Sequence, residues 1–171
     1  GEEETAADGW DAKKCANDPV RKVMETELAR ADKELGKTDQ APYYLSYTVY
    51  DQDFVVLVGA YGSLLTNAAA KRRQADVTMR VGTPELDNTH GQSRASGVTS
   101  GVLPLSDDQD AIGRVTWELT DREYKRAVPS LLTLRPTTTG RAAEEDTSPD
   151  YQKAHLSAHC GEPKRPCGSV G

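Results

Sequence analysis

The sequence predicts an α+β fold: an antiparallel sheet of three to five strands with two main helices packed on one face, in the order α-β-β-β-(β)-α. Three observations carry this. An apolar stripe at three- and four-residue spacing opens the ordered part, aromatic and β-branched runs with period two follow, and a second helical stripe closes it. Nearly all Val, Leu, Ile and aromatic residues lie within positions 18–134, which are read as one domain. Residues 1–17 are acidic and Ala-rich, and residues 135–171 mix Pro, Thr, Gly and charge; both are expected to be mostly disordered, the latter as linker and polar tail.

The first helix begins at Asp18-Pro19. Aspartate suits the cap, and proline suits a first helical position that needs no N–H. Val20, Val23, Met24, Leu28, Ala31 and Leu35 form its stripe, and Gly36 is expected to end it in a left-handed conformation. Tyr43–Tyr50 then reads as a strand with Tyr43, Leu45, Tyr47 and Val49 on one face. Asp51-Gln52-Asp53 reads as a turn, and Phe54–Tyr61 as a second, almost continuously apolar strand, together a hairpin. Gly59 and Gly62 mark a bulge or turn at its end.

Lys71-Arg72-Arg73 is expected between strands as a solvated guard. In the next strand Ala75, Val77, Met79 and Val81 alternate with Asp76, Thr78 and Arg80, the pattern of a strand buried on one face. Glu85–Thr89 suggests a short further strand before a Gly/Ser-rich loop from Gly91 to Gly101. Ser106-Asp107-Asp108-Gln109 fits a capping box for the second helix. Ile112, Val115, Leu119, Ala127 and Leu131 make its stripe, broadened by Trp117, Tyr124 and Val128, and Pro129 is expected to kink or end it.

Composition excludes several classes. The net charge of −6 argues against a phosphate-backbone binder, so no nucleic-acid partner is expected. No apolar run reaches the ~18–20 residues of a membrane span. Three cysteines, Cys15, Cys160 and Cys167, give no disulfide framework. No phosphate-cradling Gly-x-x-x-x-Gly-Lys pattern is present.

The assembled segments resemble the N-terminal domain of the TldD/PmbA family, metallopeptidases once called modulators of DNA gyrase, and more narrowly a divergent bacterial branch. The matching pieces are METELARA, APYYLSYTV, GAYGSLL, DVTMRVGTPELDNTH and LPLSDDQDAIGRVTWELTDREYKRA, in order over Val20 to Ala127. The resemblance implies a zinc enzyme with an HExxxH helix in a further domain, and dimers, homo- or heteromeric, enclosing a cavity where peptides or unfolded proteins are cut. This domain would then serve assembly and substrate enclosure, without catalytic residues, cofactor or metal of its own. His90 is followed by Gly91, His155 by Leu156 and His159 by Cys160, so no His-Glu pair occurs.

Within the chain, Asp87, Asn88 and His90 are the candidate substrate or partner contacts, as a polar cluster after an ordered strand. Strand-end turn chemistry is the plainer account of them. His155, His159, Cys160 and Cys167 could in principle form a structural zinc site, but the short Cys-x-x-Cys spacing is missing, and a polar tail is the expectation. A freestanding binding or scaffold module of the same fold is the alternative to the peptidase domain. Some members of the divergent branch start with export signals, and export is the expectation favoured over a cytoplasmic location.

Overall fold

The computed structural model describes residues 16–90 and 97–140, with side chains through 134. The N-terminal segment to residue 15, His155, His159, all three cysteines and the tail from 141 lie outside the described residues. Helix α1 spans Pro19–Leu35, strands β1 Pro42–Ala60, β2 Ser63–Thr83, β3 Leu86–Asp87 and β4 Val98–Leu103, and helix α2 Gln109–Gly140. The architecture is α+β, with all strand pairs antiparallel and the order α-β-β-β-β-α.

Strand β2 organises the sheet. One of its edges pairs with β1 along almost its whole length; the other pairs with β4 over Arg73–Thr78 and with β3 at Gly82–Thr83. From Ala75 to Val81 its side chains alternate between buried and half-buried, as the sequence predicts, and the alternation extends back to a buried Arg73. Ala75, Val77, Met79 and Val81 are fully buried and face both helices. One part of the core joins Val20 and Val23 of α1 to Val77, Leu103, Ile112 and Leu119; the other joins Ala31 and Leu35 to Met79, Val81, Ala127 and Leu131.

Local chemistry sets the helix ends. The Asp18 carboxylate accepts the Arg21 N–H at 2.9 Å, with Pro19 in the first turn. Gly36 ends α1 in a right-handed conformation (φ −61°), not the left-handed one expected, because its N–H still bonds to Asp32 O. For α2 the cap is Asp108 rather than Ser106: its Oδ1 accepts the N–H groups of Asp110 and Ala111. Just before it, Arg73 Nη1 donates to the Ser106 carbonyl and to Asp107 Oδ1. Pro129 does not end α2, which runs to Gly140, six residues past the expected domain boundary at 134. Ala127 and Leu131 on either side of Pro129 are both 1% exposed, and that burial outweighs the lost backbone bond.

Two further expectations are corrected. Asp51-Gln52-Asp53 is not a turn; β1 continues through it, and the reversal comes at Tyr61 (φ 52°) and Gly62 (φ 75°). Successive left-handed residues between the paired Ala60 and Ser63 match a type I′ turn, whose twist fits the flanking strands. Charged residues survive in the strand because each faces an opposite charge across the ladder, Asp51 with Arg73 and Asp53 with Lys71. The second half of the Gly/Ser-rich stretch is strand β4 rather than loop. Gly101 stands where Leu119 presses closest on the sheet, and a Cβ there would lie 2.6 Å from Leu119 Cδ2. Leu119 is 2% exposed and has nowhere to retreat, so Gly101→Val is expected to cost about 1–3 kcal/mol, read as a lower midpoint in urea unfolding.

Candidate interaction surface

The β1–β2 hairpin outgrows the body. β4 stops pairing with β2 at Arg73, so from Asp51/Arg73 to the turn at Tyr61-Gly62 the sheet is a two-stranded ribbon. Residues 54–70, FVVLVGAYGSLLTNAAA, contain no charged side chain. Phe54, Val56 and Val58 alternate with Val55 and Leu57 along β1, so both faces of the ribbon are apolar. All five are 45–64% exposed, as are Leu64 and Leu65 on β2, and Tyr61 at the tip is wholly exposed. Isolated two-stranded hairpins are marginal in water, and large contiguous apolar patches mark contact sites.

The ribbon is fastened to the body by Arg73. Its side chain is 10% exposed and reaches four partners: the Asp51 carboxylate at 2.7 and 3.2 Å, the carbonyls of Pro104 (3.2 Å) and Ser106 (3.3 Å), and Asp107 Oδ1 (3.3 Å). One guanidinium thus ties the ribbon's first rung to the β4–α2 connection, and its fork of donors suits this dispersed set of acceptors. The run 71–73, expected between strands as a solvated guard, lies inside β2; Arg73 is buried there, while Lys71 is solvated, its pair with Asp53 exposed on both sides. Alternation extended backwards from Ala75 puts Arg73 on the core face, which was the available signal.

Asp87, Asn88 and His90 sit at the opposite end of β2. Asp87 is fully buried and accepts from Tyr43 Oη (2.7 Å), Arg80 Nη1 (2.9 Å), Thr89 Oγ1 (2.6 Å) and the Thr89 N–H (2.7 Å). Burial alone would raise its pKa, but the bonds from Thr89, Tyr43 and Arg80 outweigh it and hold the carboxyl below its ordinary value. Asn88 is 3% exposed, and its side chain imitates a strand: Oδ1 accepts the Val81 N–H at 2.8 Å and Nδ2 donates to Met79 O at 3.3 Å. His90 is half-buried, its backbone N–H donating to Asp87 O. Asp87 and Asn88 are therefore committed to the fold, closing the β2 edge where β3 ends. The carboxylate of the Arg80–Asp87 pair is fully buried.

Polar groups also lie beneath the helices. Glu123 is fully buried, accepting from Thr99 Oγ1 at 2.5 Å and paired with Arg126 at 2.7 Å. Arg126 also donates to Val98 O, so this set stitches α2 to β4. Arg30 of α1 stacks on the Trp117 ring at 4.1 Å, a cation–π contact across the two helices. Tyr47 Oη lies 2.8 Å from Thr120 Oγ1, which spends its own proton on Thr116 O, making Tyr47 the donor. Burial pushes the Tyr47 pKa up to about 12. The stability this contributes is complete below the unfolded tyrosine value of ~10 and is lost as pH rises towards 12. Ultraviolet titration of the phenolates should show one tyrosine ionising about two units late, a step absent in Tyr47→Phe.

Among the described residues no group of three or more His, Cys, Asp or Glu side chains is placed to hold a metal ion. No described helix is long and apolar enough to cross a membrane. The exposed ribbon is thus the feature of the described residues that most calls for a partner. Comparison of the chain with protein-family models, curated proteins and solved structures returns no match.

Proposed function

We propose that this chain is an assembly domain: the N-terminal, non-catalytic part of a TldD/PmbA-like zinc metallopeptidase, contributing to dimer formation and to walling off the space where peptide or unfolded protein is cut. The observation that carries the reading is the uncharged ribbon of residues 54–70, apolar on both faces and standing clear of the body. A side-chain set of that kind forms contacts rather than performing acid–base chemistry. The order of motifs from Val20 to Ala127 supplies the family, and zinc would be held by the HExxxH helix of the further domain.

The test is the reading frame downstream. An HExxxH-bearing segment, and zinc-dependent peptide cleavage by the two-domain protein, are the expected results. Replacing residues 54–70 by Asn-Gly, which joins the paired Asp53 and Lys71 through a two-residue turn, should abolish cleavage while leaving zinc content unchanged. Robust cleavage by the chain alone with added zinc would overturn the proposal. A stop codon directly downstream would leave a freestanding scaffold module of the same fold.

A further inference from the structure

We infer that the tip of the ribbon, Leu57 to Leu65, is a lipid-binding finger that dips into the interfacial layer of a phospholipid membrane without crossing it. This goes beyond the assembly reading, which keeps the stem of the ribbon, residues 54–56 and 66–70.

Three observations carry it. First, the apolar surface lies on both faces of the tip and at its end. Leu57, Val58, Leu64 and Leu65 are 45–64% exposed, and Tyr61 at the turn is wholly exposed. A protein groove or an added strand covers one face or one edge of a strand pair. The headgroup–acyl boundary of a bilayer is fluid, so it wets two faces and an end together without a matching shape.

Second, charge is graded along the ribbon. Residues 54–70 are neutral, and charge begins abruptly at their base. There Asp51 and Arg73 pair with each other, which leaves the exposed Lys71 and Arg72 against Asp53. A chain of net charge −6 thus carries a local positive excess where the finger leaves the membrane. That is the level of the headgroup phosphates, and both cations stand on long flexible stems that reach towards them. Tyr61 adds an amphipathic ring of the kind that gathers at membrane–water interfaces.

Third, the backbone limits the depth. Residues 54–61 carry β1 from the Asp53–Lys71 rung to the turn, roughly 26 Å at the rise of a strand. Half a bilayer with its headgroups measures about 20–22 Å, so an upright ribbon would sink whole. Among the described residues nothing pairs with the outer edge of β1, or with that of β2 over Ser63–Arg72. Two open edges are not tolerated in hydrocarbon. An oblique ribbon sinks only its tip, about 5–10 Å, and water keeps solvating the edges of the stem.

The experiment is flotation of the full chain with phosphatidylcholine vesicles, paired with a polarity-sensitive fluorophore. The chain is expected to float. Leu57→Glu with Leu64→Glu should lower its vesicle partition by about 30-fold, with an unchanged thermal melt because both sites are exposed. Leu57→Thr with Leu64→Thr keeps strand propensity and should lower it by about tenfold. With Cys15, Cys160 and Cys167 changed to Ser, the fluorophore on Leu65→Cys should brighten and shift to the blue when vesicles are added. On Gln52→Cys, at the base, it should stay unchanged. No flotation, flotation indifferent to the glutamates, or equal responses at the two labels would each overturn the inference. So would a blue-shifted Leu65→Cys label before any lipid is added, which would make the tip's partner a protein. Zinc content and peptide cleavage of the two-domain protein are read without lipid, so this inference and the assembly reading fail separately.

Discussion

Removing the Asp87 carboxylate is expected to be the most damaging single change in the domain. Asp87→Ala leaves Arg80 beside an uncompensated buried gap and strips partners from Tyr43 and Thr89 together. Breaking a buried pair from one side costs about 3–5 kcal/mol, a large fraction of a typical domain's whole stability. The urea midpoint should fall accordingly, and much of the variant should be unfolded at 37 °C. Asp87→Asn keeps the shape and some hydrogen bonds and should recover part of the loss.

The same carboxylate sets an acid limit. Its pKa is held down in the folded state, so its contribution is present above the unfolded value of about 3.9 and is lost as pH falls through the lower folded value. Acid unfolding of the wild type should therefore steepen below about pH 4. Asp87→Asn should flatten that part of the curve; an unchanged slope would mean that Asp87 is not the group responsible.

The second large effect is expected at Arg73. Arg73→Ala frees the Asp51 carboxylate, two backbone carbonyls and Asp107 in one step. Asp51 and Asp107 are mostly exposed and can be rehydrated, which limits the loss to about 2–3 kcal/mol. Arg73→Lys keeps the charge without the fork and should restore less than half of it. Amide hydrogen exchange locates the consequence: faster exchange is expected at Leu103 to Ser106 and along the first rungs of the ribbon, with the α1–α2 packing unaffected. Uniform acceleration across the domain would instead mark Arg73 as a global core element.

The two sites differ in how far the chain announced them. The run from Asp87 to His90 is visible in sequence as a polar cluster, and it invites a binding role. Its actual partners, Tyr43 and Arg80, are set by how β1 and β3 close on β2. Arg73 looks like one of three interchangeable basic residues; alternation back from Ala75 separates it from Arg72, and only the end of the β4 ladder separates it from Lys71.

What the sequence determined by itself are the features encoded by local period and local chemistry: the stripe and Asp18-Pro19 cap of α1, the alternation of Ala75 to Val81, the stripe of α2 and hence the α+β layer. Such signals say which face of an element avoids water, and they act within a few residues. Tertiary structure alone decided partners. It made Asp51 and Asp53 rungs of a strand rather than a turn, because Arg73 and Lys71 lie opposite them from more than fifteen residues away. It turned part of a Gly/Ser-rich stretch into β4, because Leu119 fills the space that Gly101 leaves. It carried α2 past Pro129, because Leu131 is worth more buried than one backbone bond. And it left Val55 to Val58 in water, since an apolar run specifies a need for cover but not whether the same molecule supplies it.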